Sequence, residues 1–179
     1  SEAFIKGYIT FMDKASMLVA RLVNPQPGER ILDCCAAPGG KSMYMATLMD
    51  NVGSLMSCDI HEHKIELMNS NAERLGASIV HTKVQDATKL PDSWNSYFDR
   101  VLVDAPCSGL GILQKKLDMR WRKQESILSE LPPLQLAILE RAAMTVKEKG
   151  YLIYSTCTLN YKENEEVVEA FLQKHKEFS

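Results

Sequence analysis

Two cysteines stand where a core cysteine has little reason to be. Cys107 lies in "VLVDAPCSG" (Val101–Gly109) and Cys157 in "YSTCT" (Tyr154–Thr158), each amid Pro, Ser, Gly or Thr just past an apolar run. A cysteine in an apolar stretch is usually a small core residue. Cys58 in "SLMSCD" reads that way, and Cys34 and Cys35 can as well, although their loop, "DCCAAPGGKS" (Asp33–Ser42), could approach a ligand. A loop of small residues between a strand and a helix lets backbone N–H groups come close to a bound molecule. The fingerprint G-x-G-x-x-G is absent, and so is G-x-x-x-x-G-K-[ST], which argues against dinucleotides and nucleoside triphosphates. Three acids, Asp59, Asp86 and Asp104, follow at the ends of three later expected strands. A carboxylate ending the second strand can accept both hydroxyls of a ribose, and one after the third can accept the exocyclic amine of an adenine. S-adenosylmethionine combines ribose, adenine and a cationic sulfonium, so an acid-lined pocket suits it. The bland alternative is that Asp59 and Asp86 only cap turns or helices.

Two thiols and a carboxylate beside such a methyl donor point to one chemistry. Carbon 5 of cytosine is a poor nucleophile. A thiolate adding to carbon 6 converts the ring to an enamine whose carbon 5 can attack a methyl group, so one hard step becomes two easier ones. Asp104 is the candidate acid at N3 of the ring, a role that needs a protonated or proton-sharing carboxyl. Lys41 is the candidate electropositive neighbour that helps a thiol ionise. Which of the two cysteines attacks is left open by spacing alone.

These residues need a scaffold that brings strand ends together. The coarse pattern is a helix over Phe11–Val23, a turn at "NPQPGE" and then strands and helices in alternation. Strands are expected at Arg30–Asp33, Ser54–Cys58, Ser78–Val84, Arg100–Val103 and Tyr151–Tyr154. Helices are expected at Gly40–Met49, His61–Leu75 (stopped by Gly76), Pro132–Lys147 (stopped by Gly150) and from a capping box, Asn160 with Glu163, to about Lys174. Alternation of this kind predicts an α/β fold, a mostly parallel sheet with helices on both faces. In such sheets ligands bind beyond the carboxyl ends of the strands, and every unusual motif falls at one of those ends.

The chain has 179 residues, 45% hydrophobic and 25% charged, as expected of a globular domain with a sizeable core. No stretch is apolar and long enough to cross a membrane. Five cysteines, an odd number with no Cys-x-x-Cys pair, argue against a disulfide framework or a metal site and for a reducing, cytoplasmic setting. A net charge of −2 does not mark a nucleic-acid binder, so RNA contact must come from a local patch or another domain.

The three motifs, in this order and spacing, resemble the signatures of the RNA cytosine-5 methyltransferases of the Sun/RsmB/NSUN family, most closely the bacterial RsmB-type enzymes of 16S ribosomal RNA. The resemblance runs from about Gly7 to Phe171. It implies a Rossmann-like S-adenosylmethionine-dependent methyltransferase fold and a monomer. It further implies that residues 1–23 form a helical lead-in and 24–179 a catalytic domain lacking the family's N-terminal RNA-binding domain and the final strand pair of the sheet. It makes Cys157 the nucleophile and Cys107 the group that assists product release. It places Cys35, Ala36, Ala37, Pro38, Gly39, Gly40, Lys41, Asp59, Asp86 and Asp104 at the cofactor. Lys115, Lys116, Arg120 and Arg122 around Trp121 are expected to contact RNA, phosphates by charge and a base by stacking. The segment Gly111–Lys123 lacks a proline usual in relatives, and their early "QD" reads Met12-Asp13 here. Two alternatives stand beside this reading: another S-adenosylmethionine-dependent methyltransferase, and a non-catalytic domain whose cysteines form a redox switch.

Overall fold

A computed structural model describes residues 1–112 and 125–179. Five strands, β1 (Arg30–Asp33), β2 (Ser54–Asp59), β3 (Val80–Val84), β4 (Phe98–Asp104) and β5 (Val146–Ser155), form one sheet in the order β3-β2-β1-β4-β5. All four pairings are parallel. The chain runs outward from β1 to β3 and then returns to place β4 on the other side of β1. The order therefore reverses between β1 and β4, and a crevice opens at their carboxyl ends.

Alternation along the strands explains the layers, because successive side chains point to opposite faces. Leu32, Val101 and Val103 enter one core with Ile138, Leu139 and Ala142 of α5 (Glu125–Ala143) and Val167 and Phe171 of α6 (Glu165–Lys174). Ile31, Leu55 and Leu102 enter the other with Ala20 and Val23 of α2 (Lys14–Val23) and Met43, Met45 and Ala46 of α3 (Gly40–Leu48). Helices thus cover both faces, as the sequence predicts. A short helix α1 (Glu2–Ile5) precedes them, and α4 (Glu62–Leu75) ends at Gly76 in the left-handed conformation, at the expected stop. Among the described residues no helix is long and apolar enough to cross a membrane.

Several boundaries differ from expectation. α2 begins at Lys14 rather than Phe11, because the Asp13 carboxylate accepts the Ala15 N–H at 2.9 Å and caps the helix there. α5 runs from Glu125 to Ala143 rather than from Pro132 to Lys147, so Pro132 and Pro133 lie inside it and not in its first turn. Thr145 is the stop, since its N–H (2.9 Å) and hydroxyl (2.7 Å) both donate to the Ala142 carbonyl. β5 then starts at Val146, five residues before the predicted strand, with a register shift opposite Phe98–Arg100. The capping box differs too: Asn160 caps a 3-10 turn (Tyr161–Glu163), and the Glu163 carboxylate turns inward instead of back onto Asn160 N–H.

Candidate active site

The parallel register brings the predicted residues to one edge. Asp104 of β4 lies opposite Ser155 of β5, so Cys107 and Cys157 start from neighbouring strand ends. Their sulfurs are 3.0 Å apart, both are free thiols, and Cys157 is the more exposed. The loops are tied by backbone, with Ala105 N–H donating to Ser155 O (2.9 Å) and Gly111 N–H to Cys157 O (3.1 Å). A cavity of about 340 Å³ opens here, within the range of small-ligand sites. Cys35, Ala37, Asp59, Asp86, Asp104, Cys107 and Cys157 all line it.

Each acid has a local reason for its pose. Asp59 closes β2, is 7% exposed, accepts the His61 N–H at 2.9 Å and faces Lys64 Nζ at 3.6 Å. Asp86 caps the 3-10 turn Ala87–Lys89 and accepts the Thr88 N–H (2.9 Å) and hydroxyl (2.7 Å), which hold its carboxyl below the usual carboxylate range. The bland reading of these acids is thus present as well, and both still face the cavity. Asp104 is clamped on two sides: Lys41 Nζ donates to Oδ2 at 2.5 Å and Ser155 Oγ to Oδ1 at 2.7 Å.

The small-residue loop splits between two cavities. Cys35 and Ala37 face the acid-lined one, while Pro38, Gly39 and Gly40 line a second, of about 840 Å³, against the N-terminal segment. Gly39 has φ +95°, and a side chain there would press on Met68 at 3.0 Å, so glycine is needed for the turn into α3. At Gly40 a side chain would meet nothing within 4 Å, leaving the first turn of α3 approachable.

The thiols behave as one unit. The Cys157 side chain donates to Cys107, and the Cys157 N–H (3.2 Å) and Gly109 N–H add to it, so the Cys107 thiol is brought down to about 7. The same bond, with burial and the charges of Cys107 and Asp104, pushes the Cys157 thiol well up, and Lys41 opposes this only weakly. Lys41 is therefore chiefly the partner of Asp104, a different emphasis from the sequence reading. Burial, with Asp33 and Asp59 nearby, pushes the Cys35 thiol far up, and Cys34 likewise is held as a neutral thiol.

Several residues at the site carry no sequence signal. Leu134 and Ile138 of α5 form an apolar wall of the cavity, and Lys64 and Gln85 its rim. Glu163 and Gln135 stand fully buried behind the Cys107 loop. The expected RNA contacts Lys115, Lys116, Arg120, Trp121 and Arg122 lie outside the described residues.

Comparison with known proteins agrees with this fold. The family described as 16S rRNA methyltransferase RsmB/F matches residues 20–179. The probable ribosomal RNA small subunit methyltransferase B of Bacillus subtilis (strain 168) is 47% identical over 176 residues, 98% of this chain and 39% of that protein. The crystal structure of PH0851 superposes with a TM-score of 0.95 at 38% identity, covering 98% of this chain and 40% of that one. NSun6 from Pyrococcus horikoshii, crystallised with SFG, gives 0.89 at 34% identity, over 97% and 44% of the respective chains. The chain spans about two fifths of the curated relatives it matches. With its five-stranded parallel sheet, its paired cysteines and these likenesses, the chain belongs to the RsmB/F family of 16S rRNA methyltransferases.

Proposed function

We propose that this chain carries the catalytic centre of an enzyme that methylates carbon 5 of a cytosine in 16S ribosomal RNA, using S-adenosylmethionine. The observation that carries the reading is the pair of thiols 3.0 Å apart, opening on the same cavity as Asp59 and Asp86. The residues fit the cofactor's chemistry. Carboxylates of Asp59 and Asp86 suit ribose and amine hydrogen bonds, Leu134 and Ile138 suit the flat adenine, and the acid lining suits a cation. When bound, the cofactor supplies an electrophilic methyl group.

The protein's own residues do the rest. One proton leaves the thiol pair to solvent, and the proton still held between the sulfurs passes to Cys107, freeing the Cys157 thiolate. The Cys157 sulfur bonds to carbon 6, and the carbon 5–carbon 6 π pair is displaced into the ring. Asp104, sharing the Lys41 proton, provides the acid function at N3. Carbon 5 takes the methyl group. Cys107, its proton returned to solvent, accepts the carbon 5 proton. The sulfur–carbon 6 bond then breaks, its electrons return to Cys157, the ring double bond is restored, and N3 gives its proton back to the Asp104–Lys41 pair.

The test uses the full-length protein with 16S rRNA. Cys157→Ser should abolish methylation and give no RNA-linked protein. Cys107→Ser should permit attack and methyl transfer but stall elimination, so an RNA-linked band survives a denaturing gel. Reversed gel results would exchange the roles. No adduct with either variant, in protein that still binds cofactor and RNA, would exclude covalent catalysis. Bisulfite sequencing of ribosomal RNA from cells with and without the gene would locate the target.

A further inference from the structure

The Cys107 loop hangs on one buried carboxylate. Glu163 is fully buried, and each of its oxygens is engaged. Oε2 accepts the Ser108 N–H at 2.8 Å and the Gln135 amide at 3.0 Å, and Oε1 accepts the Asn160 amide at 2.9 Å. The same Gln135 nitrogen donates to Pro106 O at 2.9 Å. Two acceptors thus converge on that nitrogen, which fixes the orientation of the amide. The two residues that flank Cys107 are therefore both anchored to Glu163, Ser108 directly and Pro106 through Gln135. On the other side, Asn160 belongs to the segment that follows Cys157, and the Ser108 and Thr158 hydroxyls meet at 2.8 Å. Tyr154 of β5 donates to the Glu163 carbonyl at 2.7 Å and fixes its backbone.

A charged group is costly to bury unless its hydrogen bonds are satisfied. Burial pushes the Glu163 carboxyl up, but the bonds from Ser108, Asn160 and Gln135 outweigh it and hold the group below the usual carboxylate range. A capping role would not need this arrangement, since Asn160 alone caps the 3-10 turn.

We infer that Glu163 is a positioning residue, which holds the Cys107 loop against the Cys157 loop so that Cys107 can exchange protons with Cys157 and release the product. This rests on the methyltransferase reading for its catalytic consequence, but not for its geometry. Three donors converge on two carboxylate oxygens. In Glu163→Gln one of those oxygens becomes an NH₂, which cannot accept: at the Oε1 position Asn160 loses its partner, and at the Oε2 position both Ser108 and Gln135 do.

The test compares the full-length protein with E163Q and E163D. The first measurement needs no RNA: the pH profile of Cys107 alkylation, read peptide by peptide by mass spectrometry. In the parent its midpoint should lie at about 7. Around Cys107 stand Cys157, Tyr154 and Glu163, and the Glu163 charge by itself pushes the Cys107 thiol up. Removing only that charge would move the midpoint down. Loss of the Cys157 bond, the larger influence, moves it up. Positioning therefore predicts an upward shift in E163Q and a return toward the parent value in E163D. A downward or absent shift overturns it. The second measurement follows methylation of 16S rRNA. E163Q should lower steady-state turnover by about tenfold or more, the scale of a lost charge-assisted hydrogen bond, with KM little changed and RNA-linked protein accumulating. Equal loss of adduct and turnover, with cofactor binding intact by calorimetry, would reduce Glu163 to a structural residue. If the parent itself neither methylates nor forms an adduct, the methyltransferase reading fails, and the alkylation profile still decides the role of Glu163.

Discussion

Replacing Asp33 by asparagine should make the protein more stable at neutral pH, by an amount that depends on pH in a defined direction. Asp33 closes β1, the central strand, and is completely buried. Its Oδ2 accepts the Ser42 hydroxyl at 2.7 Å, while Oδ1 has no partner among the described residues. Burial, with a smaller push from Asp104, outweighs Ser42 and Lys41 and raises the carboxyl from 3.8 to about 7. At about 1.4 kcal/mol per pH unit, that gap costs about 4 kcal/mol of stability at its fullest. Below 3.8 both folded and unfolded chains hold the proton and nothing is lost. As pH rises, the unfolded chain ionises first, so stability falls progressively until about 7 and is level beyond. The asparagine side chain stays neutral at every pH, and its carbonyl can still accept from Ser42. Its NH₂ enters a site without an acceptor, at a cost of about 1–3 kcal/mol. The net gain above pH 7 is then about 1–3 kcal/mol, shrinking and reversing toward pH 4. Urea unfolding of both proteins from pH 4.5 to 8, compared as a difference, cancels every other titrating group. A difference that does not vary with pH would refute the argument, because it would mean that Asp33 titrates alike in the folded and unfolded chains.

Two further outcomes concern ligands. Asp59→Ala should weaken S-adenosylmethionine binding by more than about 1 kcal/mol, since a charge-assisted hydrogen bond is lost; equal affinity by calorimetry would remove Asp59 from the site. The 179-residue chain alone, with net charge −2, should bind RNA no more tightly than about 1 μM at physiological salt, because too few phosphate contacts are available; a tighter complex in filter binding would contradict this.

The site is legible in the sequence where chemistry and strand ends coincide. "VLVD" and "SLMSCD" are apolar runs closed by an acid, and parallel sheets place such acids on one edge, so Asp59, Asp104, Cys107 and Cys157 can be grouped from the sequence alone. Boundaries are less legible where side chains decide them. Nothing in the periodicity of Leu134, Ile138, Ala142 and Val146 reveals that Thr145 ends the helix, and Val146, in phase with the helix, instead packs beside Phe98 in the sheet. Glu163 departs from the expected capping box for a related reason. "NYKENEE" offers several acidic or amide groups within capping distance, and only the fold shows which one turns inward. The apolar wall from Leu134 and Ile138 is hidden because core-facing and ligand-facing residues of one helix look alike in sequence.

The meeting of the two thiols follows from register, and register is an all-or-none property. Asp104 pairs with Ser155, and Cys107 and Cys157 stand three and two residues beyond that pair. A slip of one residue would turn every β5 side chain to the opposite face. It would also break the Ala105–Ser155 and Gly111–Cys157 backbone bonds that hold the loops. The irregularity in the β4–β5 pairing lies at Phe98–Arg100, at the amino end of the strands, so Leu102 to Asp104 remain in step with Ile153 to Ser155. Gly111 completes the fit, since a side chain there would press within 2.9 Å of the Cys157 carbonyl, a backbone atom with no room to yield. The distance between the two sulfurs is therefore fixed by strand pairing and one glycine, and Glu163 acts on a loop whose ends the sheet has already placed.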